Sequence, residues 1–379
     1  MKVCIIGGGG QIADSVGSLL AMRGIDVSFY RPREFLVAGI PSRPKRPNWR
    51  LKEFFVSFLN EQRGGVMNYR WATNDELLRK DVFIFAAPSF LVERIAKELA
   101  PFLVGKIFIN LSDRFLGTYA VGIEVEKKMH SSIGIGIALS SPPILAYQSN
   151  RVSPTKTFYK KKNFFMACFP RTKISTAQNI FCELFGFGED EIHTLNSVFD
   201  LAFENINSIL HAVQDLENLK RRKYFFEAPL YCADTYNSDM VERINEISKE
   251  RNLIAQYFVG YSPRPLEVYD NSVFFEKTNI NFGGSPSFRI EHSILKEIPR
   301  PRWYSAHGYE DVGWSIVPLE SFGRAGHLST PNVSRLINEW NSFMKVDYRS
   351  IGRTIESLEL IEEGAVVDSR LLHWKFDAF

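Results

Sequence analysis

Residues 2–13, KVCIIGGGGQIA, set four apolar residues (Val3, Cys4, Ile5, Ile6) directly before four consecutive glycines (Gly7 to Gly10) and a helix-compatible segment. A short apolar run of this kind reads as a buried parallel strand. The glycines read as a turn that presents backbone rather than side chains. A strand, a glycine turn and a helix N-terminus, in that order, form a cradle for the pyrophosphate of a dinucleotide, because the first N–H groups of the helix point at the anion. Two registers fit. Gly7-x-Gly9-x-x-Ile12 ends on a large residue, whereas Gly8-x-Gly10-x-x-Ala13 ends on a small one, as close helix–strand packing requires, and is preferred. The expected nucleotide contacts are Gly8, Gly9, Gly10, Gln11 and Ile12. An ordinary glycine-rich turn competes with this reading and is disfavoured by the position directly after a strand.

Bulk properties narrow the class. A chain of 379 residues has room for two or three domains and a sizeable core. With 46 Lys and Arg against 43 Asp and Glu, the formal charge is +3, and nothing in that balance points to nucleic acid or a membrane surface as partner. No run reaches the length of a membrane span, and the chain enters a strand at once, leaving no room for a signal peptide. Cys4, Cys168, Cys182 and Cys232 have no metal-ligand spacing, so no metal site is expected, and they read as free thiols of a reducing, cytoplasmic compartment.

Along the chain, Asp14 to Arg23 carries Val16, Leu19, Leu20 and Met22 at helical spacing and closes at Gly24. Asp26 to Tyr30 reads as the second strand. An acidic residue usually follows here to bond the ribose 2′-hydroxyl of NAD(H), whereas arginine suits the 2′-phosphate of NADP(H). The residues are Arg31-Pro32-Arg33, so NADP(H) is favoured, with Arg31 and Arg33 on the phosphate; NAD(H) held by other groups is the alternative. Phe35 to Arg50 reads as a basic, proline-rich solvated loop, and the state of Leu51 to Asn68 is left open. Tyr69 to Thr73 reads as a strand, with Asn74 capping a helix over Asp75 to Arg79. Val82 to Ala87 is an apolar strand ending at Pro88-Ser89, and such an ending brings Ala87, Pro88 and Ser89 to the nicotinamide end of a bound cofactor. Leu91 to Leu99 reads as a helix. Strands at Lys106 to Leu111, Ser131 to Leu139, Phe164 to Phe169 and His193 to Leu195, with a helix at Ile174 to Phe185, complete the sheet. Ser140 to Pro143 is a rigid polar turn, and Lys160 to Lys162 read as a solvated edge that discourages strand pairing.

From Asn196 onward, helical periodicity takes over. Phe199, Phe203, Ile206, Leu210 and Val213 form one stripe of a single long helix, and Glu204, Asn207, His211 and Asp215 form a polar stripe beside it. Periodicity alone makes that stripe a surface face or a structural histidine before it makes it a cleft wall. Asn237 to Val259 and the segment after Thr330-Pro331 are further helices, Val317 to Phe322 is buried, and the aromatic Leu371 to Phe379 docks on the body. Arg300 to Pro318, dense in aromatics, charge and turn formers, reads as a loop that delivers side chains to a site. The expected architecture is an α/β Rossmann-type doubly wound sheet domain over 1–195, followed by a mainly α-helical domain over 196–379.

At these residues the chain resembles the octopine/nopaline (opine) dehydrogenase family over nearly its whole length. Asn205 to His211 is similar to the family's N-x-N-P-x-x-H segment, with Ser208 in place of proline. Glu250-Arg251 after Ile247 resembles I-D-x-E-R, with Ser248 replacing the aspartate. Tyr309 to Val312 resembles the R-Y-x-x-E-D-V block, and Gly352 to Leu358 matches the family's ending. The resemblance implies an NAD(P)-binding N-terminal domain, a helical substrate domain of the 6-phosphogluconate-dehydrogenase-like type, and reductive condensation of an α-keto acid with an amine through an imine. By position, His211 is implied as acid/base and Asp311 as its orienting carboxylate. Asn207, Ser141, Arg302 and His307 are expected to contact substrate. The family's arginine five residues before the aspartate is Ala306 here, so Arg302, Arg289 or Arg151 must supply the carboxylate clamp, or the substrate lacks that carboxylate. A plain keto/hydroxy-acid reductase and a non-catalytic NADP(H) sensor are the competing functions. The expected partners are a small keto acid and an amine or amino acid, not nucleic acid or membrane, and a homodimer is compatible with the sequence.

Overall fold

In a computed structural model, residues 1–8, 10–30, 51–58, 61–68, 70–147, 155–160, 164–205, 207–221, 238–263 and 308–361 are described. Arg31, Arg33, Arg151, Cys232, Arg289, Arg302, Ala306, His307, the basic loop over 35–50 and the segment 371–379 lie outside them. The chain divides between Leu201 and Ala202 into two compact units.

The first unit begins with β1 (Lys2–Ile6), α1 (Gln11–Met22) and β2 (Asp26–Tyr30). After these come the hairpin of β3 (Leu51–Phe58) and β4 (Glu61–Asn68), α2 (Asn74–Leu78), β5 (Val82–Phe85), α3 (Val92–Leu103), β6 (Ile107–Asn110) and α4 (Gly117–Met129). The remaining elements are β7 (Ile135–Leu139), β8 (Ile144–Tyr147), β9 (Thr155–Lys160), β10 (Phe164–Phe169), α5 (Ile174–Phe185) and β11 (Ile192–Thr194). Seven strands form one sheet in the order β11-β10-β7-β6-β5-β1-β2. All its pairings are parallel except that of β10 with β7.

The apolar composition of the strands follows from burial on both faces. In β1, Val3 and Ile5 join the cluster that includes Ala13, Val16 and Leu20 of α1 and Phe181 of α5. Cys4 and Ile6 point the other way, into a cluster with Ile95 and Leu99 of α3 and Val121 of α4. The alternation repeats in β5, where Val82 and Ile84 face the first cluster and Phe83 and Phe85 the second. Cys4, Cys168 and Cys182 are free thiols. Burial pushes the Cys4 thiol up to about 12 and that of Cys168 up to about 11, so neither is a nucleophile near neutral pH.

Several local expectations are corrected. Tyr69 to Thr73 is not a strand: among its described residues only Trp71 pairs, in a single parallel bridge to Phe29. The cap of α2 is Thr73 rather than Asn74, in a reciprocal box with Glu76. The region over 51–68, undecided by sequence, forms β3 and β4 of a second sheet, ordered β4-β3-β9-β8, that lies beside α1. Lys160 ends β9, an inner strand paired on both sides, so it does not mark a sheet edge. A charge run read alone cannot show that a distant hairpin supplies the neighbour.

In the second unit the described elements are helical: α6 (Val198–Glu204), which enters it from the first, then α7 (Asn207–Arg221) and α8 (Ser238–Val259). A helix over 308–325 follows, containing a π-helical turn (Val312–Ile316) and α9 (Val317–Ala325). The last two are α10 (Pro331–Met344) and α11 (Tyr348–Ile351). The single long helix expected from Phe199 is broken after Glu204, where Asn205 and Asn207 favour helix ends over helix interiors. Trp340 of α10 is fully buried and its indole N–H donates to the Ala212 carbonyl of α7 at 2.9 Å. Glu250 of α8 caps α10: one carboxylate oxygen accepts from the Asn332 N–H and the other from the Val333 N–H, both at 2.9 Å. That gives the Glu250-Arg251 motif a helix-joining role. No helix among the described residues is long and apolar enough to cross a membrane.

An ion cluster ties three of these helices together. Arg243 of α8 contacts Glu217 of α7 and Glu339 of α10, each at 3.0 Å, while Lys220 and Arg335 also reach Glu339. Burial alone would raise the Glu339 carboxyl, but Lys220, Arg243 and Arg335 outweigh it and hold it down at about 2, against an ordinary 4.5. A carboxyl depressed in the folded state contributes stability above its unfolded value, and that contribution is lost as pH falls through the folded one. Glu339→Gln is therefore expected to be less stable than wild type at neutral pH. Urea titrations should show the difference shrinking between about pH 4.5 and pH 2; a difference that is constant over that range would assign the loss to packing instead.

Candidate active site

In the first unit, the chain leaves β1 for β2 on one side and returns to β5 on the other, so the order of the parallel strands reverses between β1 and β5. The carboxyl ends of such strands form the crevice where open α/β sheets bind ligands. Gly7 makes the turn there, with φ +108°, and a Cβ on it would lie 2.8 Å from the Ala86 carbonyl oxygen after β5. The left-handed turn thus falls one residue before the preferred register, at Gly7 rather than Gly8. The small residue falls where that register puts it: Ala13 is fully buried, whereas Ile12 is only partly so. The Gly7 N–H donates to the Tyr30 carbonyl at 2.9 Å, and the Gly10 N–H returns to Gly7 at 3.0 Å. Gly10 is the N-cap of α1 and has no side chain to cap it. The first N–H groups of α1 are thereby offered to an external acceptor, as an anion site requires. Gln11 opens the helix, and Gly9 lies outside the described residues.

The same sheet edge gathers Ala87, Pro88 and Ser89, the last buried and opening a short 3₁₀ turn (Ser89–Leu91). Beyond β6, the side-chain amide of Asn110 donates to Asp113 at 2.8 Å, and Asp113 also accepts from the Thr118 N–H at 2.6 Å and from its hydroxyl at 2.8 Å. This cap holds Phe115 and Leu116 in left-handed conformations, with φ of 36° and 67°. Nothing in the spacing of Asn110 and Asp113 separates a cap from a loop, so sequence alone shows them only as the end of a strand. Ser141 sits in the turn after β7, half-buried at the same edge.

In the second unit, His211 of α7 meets Asp311 with Nδ1 3.0 Å from the carboxylate, although the two are 100 residues apart in sequence. Asp311 is 1% exposed and the His211 side chain 16%, so the carboxylate is enclosed while the ring keeps a solvent-facing edge. Ser208, one turn earlier on α7, is within 2.9 Å of the Ser315 hydroxyl. Because 208 meets 315 and 211 meets 311, the two helices run antiparallel. The polar stripe is no solvated face: Glu204 and Asp215 are buried, and Glu204 accepts from the Tyr261 hydroxyl. Asn207 is half-buried, one turn from His211.

The loop expected over 300–318 is helical from 308 onward, and each supposed turn former has a reason to be in a helix. Gly308 is buried where a Cβ would lie 2.3 Å from the Trp340 ring. Pro318 has no N–H, and a proline crowds the carbonyl four residues before it. The helix accommodates it with the π-turn, in which the Val317 N–H donates to Val312, five residues back. The Gly313 carbonyl then has no partner in its own helix, since Val317 is spent and Pro318 has nothing to give. The Arg353 N–H takes it at 2.9 Å. That approach needs Gly352, where a Cβ would lie 2.5 Å from the Gly313 oxygen. Tyr309 packs against both Trp314 and Tyr348, closing the turn from the other side.

Among the described residues no group of three or more His, Cys, Asp or Glu could hold a metal ion. The structure thus brings Gly7, Gly8, Gly10, Ile12, Ala87, Pro88, Ser89 and Ser141 to one edge of the first unit, and Asn207, His211 and Asp311 together in the second.

No family model matches the chain. The chain is 24% identical over 287 residues to an opine dehydrogenase of Arthrobacter sp. (strain 1C), covering 74% of this chain and 75% of that protein. The fold is shared with octopine dehydrogenase, in its form with NADH and pyruvate, at TM-score 0.68 and 14% identity over 98% of each chain. Yersinopine dehydrogenase with NADP+ superposes with TM-score 0.65 at 13% identity, over 100% of this chain and 99% of that one. A 2-dehydropantoate 2-reductase of Geobacter metallireducens gives 0.58 at 14% identity, over 90% and 100%. The chain therefore resembles opine dehydrogenases in sequence and in fold.

Proposed function

We propose that the chain is an opine-type oxidoreductase that condenses an α-keto acid, or a related carbonyl, with an amino group and reduces the resulting imine at the expense of NADPH. The observation that carries this reading is the His211–Asp311 pair, 3.0 Å apart with the carboxylate enclosed. Asp311 at Nδ1 fixes the imidazole's orientation and stabilises its protonated form, so proton exchange with a reactant runs through Nε2. Addition of the amine to the carbonyl produces a hydroxyl that must leave as water. His211 donates the proton that makes it a leaving group, and it can recover one from the adding nitrogen. Asn207, half-buried one turn away on the same helix, is assigned to hydrogen-bond substrate.

The turn from Gly7 to Gly10, the uncapped start of α1 and the segment Ala87 to Ser89 fit a dinucleotide, with backbone N–H groups for the pyrophosphate and small residues where backbone must come close. When bound, the nicotinamide cofactor supplies the hydride. Arg31 and Arg33, next in sequence after β2, are assigned to the 2′-phosphate, which makes NADPH the preferred form. In this reading residues 1–195 bind the nucleotide and 196–379 bind substrate and carry the proton chemistry, with Arg302, Arg289 or Arg151 in place of the arginine absent at Ala306. The free thiols fit a cytoplasmic, reducing setting. Ligands of the structural neighbours support the substrate class: octopine dehydrogenase is known with NADH and L-arginine and with NADH and agmatine.

The likeness to 2-dehydropantoate 2-reductase favours one second reading, direct reduction of a keto acid. A matrix of keto acids against amino acids and polyamines separates the two, with NADPH and NADH followed by absorbance and product identified by mass. The proposal expects oxidation that requires both partners and a secondary-amine product; oxidation by a keto acid alone would favour the reductase. In the same assay His211→Ala should lower turnover about a hundredfold or more while leaving NADPH affinity nearly unchanged. Equal losses in both would give His211 a folding role instead.

A further inference from the structure

The His211–Asp311 contact joins two helices, and a contact between helices survives only if their register is fixed. Three residues separate Ser208 from His211 on α7, a rise of about 4.5 Å, whereas four separate Asp311 from Ser315, about 6 Å in an unbroken α-helix. The π-turn over Val312–Ile316 holds more residues per turn and so shortens the second spacing. It lets Ser315 meet Ser208 at 2.9 Å in the same arrangement that sets Asp311 3.0 Å from His211. Ser208 is 1% exposed and Ser315 5%. A slip of one helix along the other would break this bond between two enclosed hydroxyls, at a cost comparable to a lost buried hydrogen bond. A buried polar pair of this kind selects one register among those an apolar seam would accept.

We propose that Ser208 and Ser315 are positioning residues: their hydroxyl–hydroxyl bond pins α7 against the π-turn and thereby holds the Asp311 carboxylate on Nδ1 of His211. Neither serine touches the reacting atoms. The catalytic part of the inference rests on the function proposed above, but the pin itself does not, so it has a readout without substrate.

The test compares Ser208→Ala, Ser315→Ala, Ser315→Thr and Ser315→Val. The last two are nearly equal in shape and differ in whether a hydroxyl is present. Nitrogen-15 shifts of His211, read with the ring neutral, report which nitrogen carries the proton. The wild type and Ser315→Thr should hold it on Nδ1, facing Asp311; both alanine variants and Ser315→Val should show a mixture of the two tautomers. In turnover, the hydroxyl-free variants should lose about ten- to a hundredfold in kcat with KM and NADPH affinity nearly unchanged. The double alanine variant should be no worse than either single one. An unchanged His211 tautomer in all the hydroxyl-free variants would overturn the proposal, as would loss of folding in all of them while Ser315→Thr folds, since the pair would then serve stability alone. If no carbonyl and amine support turnover in wild type while the tautomer still responds, the functional reading fails and the pin stands. Turnover in wild type that the hydroxyl-free variants share would remove the pin and leave the function.

Discussion

One carbonyl that its own helix cannot satisfy governs the second unit. Pro318 cannot donate, the Val317 N–H is committed to Val312, and the Gly313 oxygen must find a partner elsewhere. It finds the Arg353 N–H, which reaches it only because Gly352 has no side chain. A buried carbonyl without a partner would cost about 1–3 kcal/mol. The same segment is anchored again where the Ile355 N–H donates to the Ser321 hydroxyl at 3.0 Å. Arg349 of α11 adds a two-pronged ion pair to Glu320 of α9, at 2.5 and 2.6 Å. Residues 349–355 therefore act as a brace on the 308–325 helix, which bears Asp311 and Ser315.

The first unit follows a different rule. Its strands are apolar on both faces because helices cover both, so polar chemistry can gather only at strand ends. At the carboxyl edge the chain places a glycine turn, the Ala87-Pro88-Ser89 turn and the capped Asn110–Asp113 segment at the ends of three adjacent strands. The left-handed Phe115 and Leu116, both buried, show that this edge carries local strain that the Asp113 cap and the surrounding core must offset.

Features written within a dozen residues were legible in the sequence. The strand–glycine–helix opening, the β10 strand and α5 follow from apolar period and turn residues alone, and the structure has them with their expected limits or within a few residues. His211 and Asp311 were legible only through resemblance, since nothing local links residues 100 apart. What stayed hidden depends on a distant partner. Gly308 looks like a turn former until Trp340 is seen to occupy the space of its absent Cβ. The second sheet was hidden because the pairing that completes it, β3 with β9, joins segments about a hundred residues apart. Glycine and proline together argued for a loop over 300–318, and from 308 onward tertiary packing made a helix of it.

In the proposed function Asp311 acts on the reaction through the imidazole of His211, not through the fold. Asp311→Asn tests it most directly, because the amide keeps the size and the hydrogen-bonding reach of the carboxylate while removing its charge and permitting the wrong ring tautomer. Single-turnover oxidation of NADPH in the presence of carbonyl and amine is the measurement. The variant should lose about a hundredfold or more in rate with thermal stability and NADPH affinity preserved. A variant that turns over at the wild-type rate would contradict it.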